Sequence, residues 1–422
     1  MLGSVLAHPL PAGMRDLLPE ESRALTRLGR RLSRSFELAG YERVTVPVFE
    51  YAAVLERGLG ALDPREVLRF VEPESGEVVA LRPDMTPQIA RLVATRLADA
   101  PLPARLAYEG SVVRLRRERA RRHRQIPQVG IELIGSGAPD GDAEVLTVAT
   151  DAMKQAGLED FVLDLGHARI AGALLDLVPV DERAPLVEAL ASKDQRELER
   201  RVAKVGLDLD LRRVLVQLLD LCGGAEVWPL GEKLLRRTPA EAAFRELLAA
   251  FRFAEERGLA PRLSVDLAEV RDLGYYTGVT FQILAFGPGA AIGSGGRYDR
   301  LLEQFGAPRP AAGFAVALDH MLWALADRGD APSFRLLVSG ARGPELVPLL
   351  RARGVTAVLA PADAWAHARA WRFSHVVEVG SEGASLVAGT GTERRELPGL
   401  EGAALAQEIA DLSSFSPDAE GR

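Results

Sequence analysis

Hydrophobic residues recur every three or four positions over residues 20–40, where acidic residues come first, arginines follow and Gly40 closes the segment. This pattern predicts a capped amphipathic helix. The next segment, YERVTVPVFEY, alternates and is β-rich, which predicts a strand interrupted or ended at Pro47. EVLRFVEPESGEVVALRPD predicts a hairpin turning at Pro73–Gly76, and TPQIARLVATRLADA predicts the helix that follows it.

Strand and helix patterns then alternate along the chain. ARLAYEGSVVRL and IPQVGIELIG predict two strands around an arginine-rich turn, Ala143–Gly157 predicts a helix, and FVLDLGH predicts a strand. The pattern is almost entirely helical over residues 179–257, so we expect an inserted helical subdomain there. LSVDLAEV and YYTGVTFQILAFG predict further strands, and GFAVALDHMLWALAD predicts a helix.

Beyond a predicted linker at residues 328–334, β and α patterns alternate again. FRLLVSG, TAVLAP and HVVEVG predict strands, separated by helices over Leu346–Arg353 and Ala362–Arg372, which indicates a small α/β domain at residues 333–398. We therefore expect a core domain at residues 1–327, the small domain, and a disordered tail at residues 413–422.

Composition narrows the class of protein. The 422 residues include 59 acidic and 52 basic residues, for a net charge of −7, with 47% hydrophobic and 26% charged residues. These values are typical of a soluble globular protein of two or three domains, and the acidity argues against an obligate nucleic-acid binder. We find no apolar run of ~18 residues and no signal-peptide pattern, so we expect a cytoplasmic protein without a membrane partner.

Metal and thiol chemistry has little support in the sequence. The single cysteine, Cys222, excludes a disulfide framework and a cysteine-built metal site, and its apolar helical context favours a place in the core. The six histidines lack metal-ligand spacing. We therefore expect no metal and no cofactor.

Four segments contain candidate binding residues. The run RLRRERARRHR, from Arg114 to Arg124, is either a clamp for phosphate or carboxylate or a solvated turn. RPDMT, from Arg82 to Thr86, either binds a ligand or caps a helix, and the two roles are compatible. In VRDLGYYTG, adjacent tyrosines on a strand would face opposite sides, so only one of them would line a given pocket. SGGRYDRLL places paired glycines close to a ligand or another strand, without the spacing of a nucleotide-binding loop.

In this order, the segments resemble the catalytic core of histidyl-tRNA synthetase, a class II aminoacyl-tRNA synthetase, over residues 10–325. GMRDLLP resembles the opening of that family, and RPDMT resembles its Arg-Pro-Glu-Gly-Thr. Residues 110–130 have the spacing of the second class II motif, RDLGYYTG and GGRYDRL resemble the two histidine-specific motifs, and GFAVALDHM resembles the third class II motif. The resemblance implies an α+β fold with an antiparallel sheet flanked by helices. It also makes the C-terminal domain similar to a shortened anticodon-binding domain.

Departures from the family concentrate at the positions that bind ATP. Arg116 stands where the second motif has a Glu that recognises adenine, and Asp319-His320 replaces the Glu-Arg whose Arg binds the outer phosphate. Met85 replaces the glycine of Arg-Pro-Glu-Gly-Thr. Each lost charge-assisted contact is worth ~1.5–3 kcal/mol, so two losses weaken ATP binding by roughly a hundred-fold or more. We therefore expect no useful adenylate chemistry.

The amino-acid half of the pocket is better preserved. By the resemblance, Asp84 and Thr86 bind the α-amino group, Arg271 binds the carboxylate and Tyr276 faces the imidazole, although Asp84 is one methylene shorter than the family's Glu and Gly274 replaces an Asp. The candidate histidine site is Asp84, Thr86, Arg114, Gln128, Glu132, Arg271, Tyr275 and Tyr276.

A synthetase paralogue that keeps the histidine side and loses the ATP side resembles the regulatory subunits of ATP phosphoribosyltransferase. That resemblance implies a non-catalytic homodimer that joins a short catalytic subunit in a hetero-octamer, with histidine as effector and no nucleic-acid partner. Two alternatives stay open: a working histidyl-tRNA synthetase with an aberrant ATP site, and a free-standing histidine sensor or tRNA-mimic module.

Overall fold

The computed structural model of the protein describes residues 9–59, 66–115, 123–270, 274–325, 334–380, 383–388 and 393–414. The chain divides into two compact units, Met1–Ala326 and Asp327–Arg422. The described residues of the first unit form two sheets and those of the second unit form one, and each unit has its own clusters of buried hydrophobic residues. Most of the arginine-rich turn and residues 328–333 of the predicted linker lie outside the described residues.

A large sheet forms the centre of the first unit. Its strands are β1 (Glu42–Arg43), β5 (Ala104–Val113), β6 (Gln125–Ile134), β7 (Phe161–His167), β8 (Cys222–Gly223), β9 (Leu263–Asp266), β10 (Val279–Ala285), β11 (Gly293–Arg297) and β12 (Ala311–Ala317). They lie in the order β1-β5-β6-β12-β11-β10-β7-β9-β8. From β5 to β7 in this order, each pair of adjacent strands is antiparallel. In contrast, β1 is parallel to β5, and β9 is parallel to β7. The predicted antiparallel sheet is therefore confirmed, with two parallel pairs towards its edges.

Helices flank this sheet. They are α1 (Pro19–Leu38), α2 (Ala52–Leu59), α3 (Thr86–Arg96), α4 (Asp140–Gln155), α5 (Ala168–Leu175), α6 (Val180–Ala191), α7 (Gln195–Lys204), α8 (Leu209–Gln217), α9 (Val227–Leu235), α10 (Glu241–Glu256) and α11 (Leu318–Ala324). The stretch predicted as a helical insertion thus consists of α6 to α10 and the two-residue strand β8, which joins the edge of the large sheet.

The largest cluster of buried hydrophobic residues in the described part of the first unit contacts one face of the sheet. Val129, Ile131 and Leu133 alternate along β6 towards this face and are fully buried. Helix α1 packs against α4, β5 and β6, and the ring of Phe36 meets that of Phe314 on β12 edge to face at 5.7 Å. The opposite face of β6 is therefore free to carry polar residues.

A second, smaller sheet supports the polar face. Strands β2 (Phe49–Tyr51), β3 (Arg69–Val71) and β4 (Val78–Leu81) lie in the order β2-β4-β3, which confirms the predicted hairpin and the break at Pro47. Arg82 follows β4 and is buried, where its guanidinium donates to the backbone carbonyls of Val46, Pro47 and Ser111. Desolvation lowers the pKa of Arg82. Arg82 thus ties the start of RPDMT to the large sheet.

Two sequence expectations for the first unit are wrong. The segment GFAVA belongs to strand β12, and only the following residues form a helix, α11. Alanine and glycine permit either structure, and pairing with β6 and β11 decides in favour of the strand. Cys222 is exposed because it lies on the edge strand β8, which pairs with β9 alone.

The C-terminal unit is a five-stranded sheet with helices. Strands β13 (Arg335–Ser339), β14 (Thr356–Leu359), β15 (His375–Val379), β16 (Gly383–Ala388) and β17 (Arg394–Pro398) lie in the order β14-β13-β15-β16-β17. Helices α12 (Gly343–Ala352) and α13 (Ala364–Trp371) correspond to the predicted ones. Helix α14 (Gly402–Ser414) includes the first two residues of the segment predicted to be a disordered tail, and residues 415–422 lie outside the described residues. No helix in the part of the chain that the structure describes is long and apolar enough to span a membrane.

Shortening Leu32 should destabilise the first unit. Leu32 is fully buried on α1, so Leu32→Ala should lower the free energy of unfolding by ~2–5 kcal/mol, because it leaves a cavity. Leu38→Ala on the same helix removes a side chain that is 62% exposed. This substitution should change the free energy of unfolding by less than about 0.5 kcal/mol. Hydrogen exchange of the α1 amides in increasing urea measures both values. Equal effects of the two substitutions would contradict this packing.

Candidate functional site

The RPDMT loop joins β4 to α3 and points two polar side chains into the first unit. Asp84 and Thr86 are both buried. The Oδ1 atom of Asp84 accepts the backbone N–H of Thr86 at 3.1 Å, which stabilises the start of α3. Its Oδ2 atom accepts the hydroxyl of Tyr275 at 2.8 Å. Asp84 therefore both supports the helix start and takes part in the pocket network, so the two roles are compatible.

Glu132 lies on β6 and is the most deeply buried carboxyl group of this network, with 1% of its surface exposed. Its Oε1 atom accepts the hydroxyls of Thr86 at 2.6 Å and of Tyr108 at 3.2 Å. Its Oε2 atom accepts the hydroxyl of Tyr298. Thr86 thereby links the two carboxylates into one continuous network.

Glycines make the space for these side chains. Gly313 on β12 lies directly opposite Glu132 in the sheet, and a Cβ atom there would collide with the Glu132 carboxyl group. Gly130 lies opposite Tyr108 on β5, and a Cβ atom there would meet the Tyr108 hydroxyl at 2.5 Å. The glycines on this face therefore let large polar groups lie flat on the sheet.

Burial shifts the pKa values of the ionisable groups in this network. Desolvation raises the pKa of Glu132 to about 8, although the hydroxyls of Thr86, Tyr298 and Tyr108 oppose the shift by hydrogen bonding and Asp84 adds to it by repulsion. Desolvation and the neighbouring carboxylates also raise the pKa values of Tyr108, Tyr275 and Tyr298 well above their usual range. A cationic group of a ligand would stabilise the ionised Glu132. The site, with its aromatic side chains, is therefore suited to a ligand that carries an amine or an imidazole.

Arg114 lies beside the same network, and Gln128 lies on the same face of the sheet as Glu132. The Nε atom of Arg114 donates to the backbone carbonyl of Pro83 at 2.6 Å, and its guanidinium lies 3.9 Å from the Oδ2 atom of Asp84. Gln128 is nearly buried and lies four residues before Glu132 on β6, hence on the same face of the sheet. The guanidinium of Arg114 therefore balances part of the negative charge of Asp84.

The two tyrosines of RDLGYYTG correct the sequence expectation. Tyr275 and Tyr276 precede β10 and are not in a strand, and their ring centroids lie 4.8 Å apart on the same side. The ring of Tyr275 also meets that of Tyr298 edge to face at 5.7 Å. Both tyrosines therefore line the same cavity, which a strand would have prevented.

The positions expected to be degenerate for ATP are only partly described. His320 is buried on α11, and its Nδ1 atom lies 3.1 Å from the carbonyl oxygen of Ala291. The Oδ1 atom of Asp319 accepts the backbone N–H of His320 at 2.9 Å. The imidazole that replaces the family's arginine is therefore held against the backbone. Arg116 and Arg271 lie outside the described residues.

One group of carboxylates within the described residues has the spacing of a metal site. Oxygen atoms of Asp164, Asp266 and Glu269 lie within 4.8 Å of one another. The ammonium of Lys193 lies 2.6 Å from Asp266, and the amide of Gln282 donates to Glu269 at 3.1 Å. Protein groups thus already compensate part of this charge, so we assign no metal to it.

Tyr108 and Tyr298 contact Glu132 but are not among the residues that the sequence predicts for the site. Tyr298 lies two residues after the paired glycines of SGGRYDRLL, a motif in which the glycines alone suggest a close approach. Tyr108 lies in a strand whose alternation places it on the same face as Gly110. That alternation was a usable signal for Tyr108, but its partner Glu132 on the next strand became evident only from the register.

Comparison with known proteins gives the same family. The sequence model named Histidyl-tRNA synthetase matches residues 13–321. A curated protein of Anaeromyxobacter sp. (strain Fw109-5), named ATP phosphoribosyltransferase regulatory subunit, is 46% identical over 318 residues, or 75% of this chain and 92% of the relative. One of the same name from Moorella thermoacetica is 42% identical over 332 residues, covering 78% of this chain and 85% of the relative.

The chain belongs to the ATP phosphoribosyltransferase regulatory subunits of the histidyl-tRNA synthetase family.

Solved structures of this family have the same fold. A regulatory subunit/histidyl-tRNA synthetase from Bacillus halodurans superposes with a TM-score of 0.78 at 30% identity, covering 87% of this chain and 97% of the other. Histidyl-tRNA synthetase from Nostoc sp. PCC 7120 gives a TM-score of 0.77 at 20% identity, covering 96% of this chain and 99% of the other, and it supports the fold alone. The class II synthetase-like α+β fold expected from the motifs is therefore confirmed.

Substituting Glu132 should change how stability depends on pH. The folded-state pKa of about 8 exceeds the ordinary value of 4.5, so between these values the folded protein retains a proton that the unfolded chain releases. Relative to Glu132→Gln, the wild type should therefore lose stability as the pH rises from about 5 to about 8, by about 1.4 kcal/mol per unit of pKa shift at most. Urea unfolding of both proteins across this range measures the difference. A difference that stays constant with pH would contradict a protonated Glu132.

Proposed function

We propose that this chain is a non-catalytic regulatory subunit that is required for the activity of a short ATP phosphoribosyltransferase catalytic subunit, the first enzyme of histidine biosynthesis. The names of its curated relatives support this proposal. The observation that carries it is the network around Glu132, which offers hydrogen-bonding groups for a histidine-like ligand, whereas ATP-binding side chains of the synthetase motifs are replaced in the sequence.

Histidine is the effector that we propose for this pocket. In its bound pose, the α-amino group would lie against Asp84 and Thr86, and the imidazole would lie among Glu132, Tyr298 and Tyr276. Aromatic walls and buried carboxylates favour a flat cationic group over a neutral side chain. Arg271 would neutralise the carboxylate of the ligand, as the resemblance implies. Binding there would make the pocket the origin of feedback inhibition.

The assembly that we propose follows the family resemblance. Two copies of the core would form a homodimer, and four regulatory and four catalytic chains would form the hetero-octamer. The complex as a whole would use ATP and phosphoribosyl pyrophosphate, while this chain would bind neither in reactive pose. Aminoacyl-adenylate formation requires ATP to be held in line with the carboxylate, so loss of the phosphate clamp removes that reaction.

A functional histidyl-tRNA synthetase is the second candidate, favoured by the C-terminal α/β unit. That unit has a five-stranded sheet with helices and would correspond to a shortened anticodon-binding domain. The two functions differ in one reaction, the histidine-dependent exchange of pyrophosphate into ATP. Exchange above background would establish the synthetase function. The absence of exchange, together with activation of the catalytic subunit, would exclude that function.

Mixing the purified chain with the short catalytic subunit tests the main proposal. We expect the two chains to co-elute in size-exclusion chromatography and the rate with ATP and phosphoribosyl pyrophosphate to rise, because the catalytic chain requires its regulatory partner. Histidine should then inhibit the mixture more strongly than the catalytic subunit alone. No co-elution and no change in rate would refute the proposal.

Substituting Arg271 tests where histidine binds. Arg271→Ala should weaken histidine binding in isothermal titration calorimetry by about ten- to a hundred-fold, because an ionised carboxylate loses its charge-assisted partner, worth ~1.5–3 kcal/mol. Arg30→Ala, on the exposed side of α1, is the matched control and should leave the affinity unchanged. An unchanged affinity in Arg271→Ala would place the effector elsewhere, for example at the interface between subunits.

A further inference from the structure

The cavity that Tyr275 and Tyr276 line extends beside the tyrosine turn, on the side of α2. Its volume is about 660 Å³, which falls within the range of about 300–1,000 Å³ that small-molecule sites occupy. Tyr275, Tyr276 and Thr277 form one wall, and the end of α2 and residues 300–304 form others. Tyr275 separates this space from Asp84, since its hydroxyl donates to that carboxylate.

The cavity is lined by an excess of positive charge. Arg57, Arg169 and Arg300 contribute guanidinium groups to its lining, against one carboxylate, that of Glu56. Glu56 already pairs with Arg69 at 2.8 Å, outside the lining. The single acid therefore does not offset the three arginines.

Two of the three arginines lack a carboxylate partner within the described residues. Arg169 pairs with Asp176 at 3.0 Å. Arg57 and Arg300 are exposed, and neither forms an ion pair with any residue that the structure describes. Guanidinium groups bind phosphate oxygens in bidentate fashion, and Gln304 adds a neutral hydrogen-bonding group to the same lining.

We propose that this cavity is a binding site for a small molecule that carries two or more phosphate groups. Its volume exceeds that of a single inorganic ion, and two arginines on separate segments, neither with a carboxylate partner among the described residues, suit two anionic groups better than one. The site shares Tyr275 and Tyr276 with the proposed histidine pocket but differs from it in its arginines, and it requires neither the catalytic subunit nor bound histidine. If this phosphate-site proposal fails, the proposed regulatory function remains unaffected.

Calorimetric titration of inorganic pyrophosphate into the full-length chain at low salt tests this site. We expect saturable binding with one pyrophosphate per chain. The double variant Arg57→Gln/Arg300→Gln should weaken it at least ten-fold, and Arg300→Gln alone should weaken it by a smaller factor. Arg213→Gln is the matched control, since Arg213 is exposed on α8 and its contact with Asp210 is 3.9 Å long; its affinity should equal that of the wild type.

Three outcomes would overturn the proposal. The first is the absence of saturable binding. The second is an affinity unchanged in the double variant, which would place the anion elsewhere, for example on the arginine-rich run. The third is citrate binding as tightly as pyrophosphate, which would assign the cavity to polycarboxylates. Circular dichroism spectra and thermal unfolding of the same variants should match those of the wild type, which shows that the substituted chains are folded.

Discussion

Burying Glu132 requires three hydroxyl groups and two glycines around it, and this requirement determines how the pocket is built. Without Thr86, Tyr108 and Tyr298 the carboxyl group would leave unsatisfied oxygens in the interior, at a cost of about 1–3 kcal/mol or more. Without Gly313 on the neighbouring strand it would have no room. The register of β6 against β12 is therefore fixed by the chemistry of the site as well as by hydrophobic alternation.

Two regions of this fold, one around Glu132 and one around His320, therefore differ in their chemistry. Around Glu132, polar contacts from the RPDMT loop, two strands of the sheet and the residue after β11 converge on one buried group. At the position where the synthetase family has an arginine in its third motif, the imidazole of His320 lies against the carbonyl oxygen of Ala291. A family fold does not by itself determine activity, so the split between these two regions carries the functional conclusion.

Local patterns predicted most elements, because helices and strands of this length have a clear hydrophobic period. They failed at GFAVA, where small residues suit a strand or a helix and pairing with β6 and β11 decides. They also failed at Cys222, whose exposure follows from its place on the edge strand. Tyr298 could not be assigned to Glu132, since the two are far apart in sequence and meet only through the sheet.

The resemblance placed several candidate residues in one network, which the structure connects: Asp84, Thr86, Arg114, Glu132 and Tyr275. It could not supply the conformation of the tyrosine turn, because adjacent residues share a side only outside regular strands. The protonation of Glu132 likewise depends on burial, which no sequence motif specifies.

A crystal structure of the chain grown with histidine and a non-hydrolysable ATP analogue tests this asymmetry most directly. We expect histidine to be ordered with its imidazole within hydrogen-bond distance of Glu132, and no ordered nucleotide beside it. An ordered, bent ATP analogue with its α-phosphate next to the carboxylate of bound histidine would contradict the regulatory function.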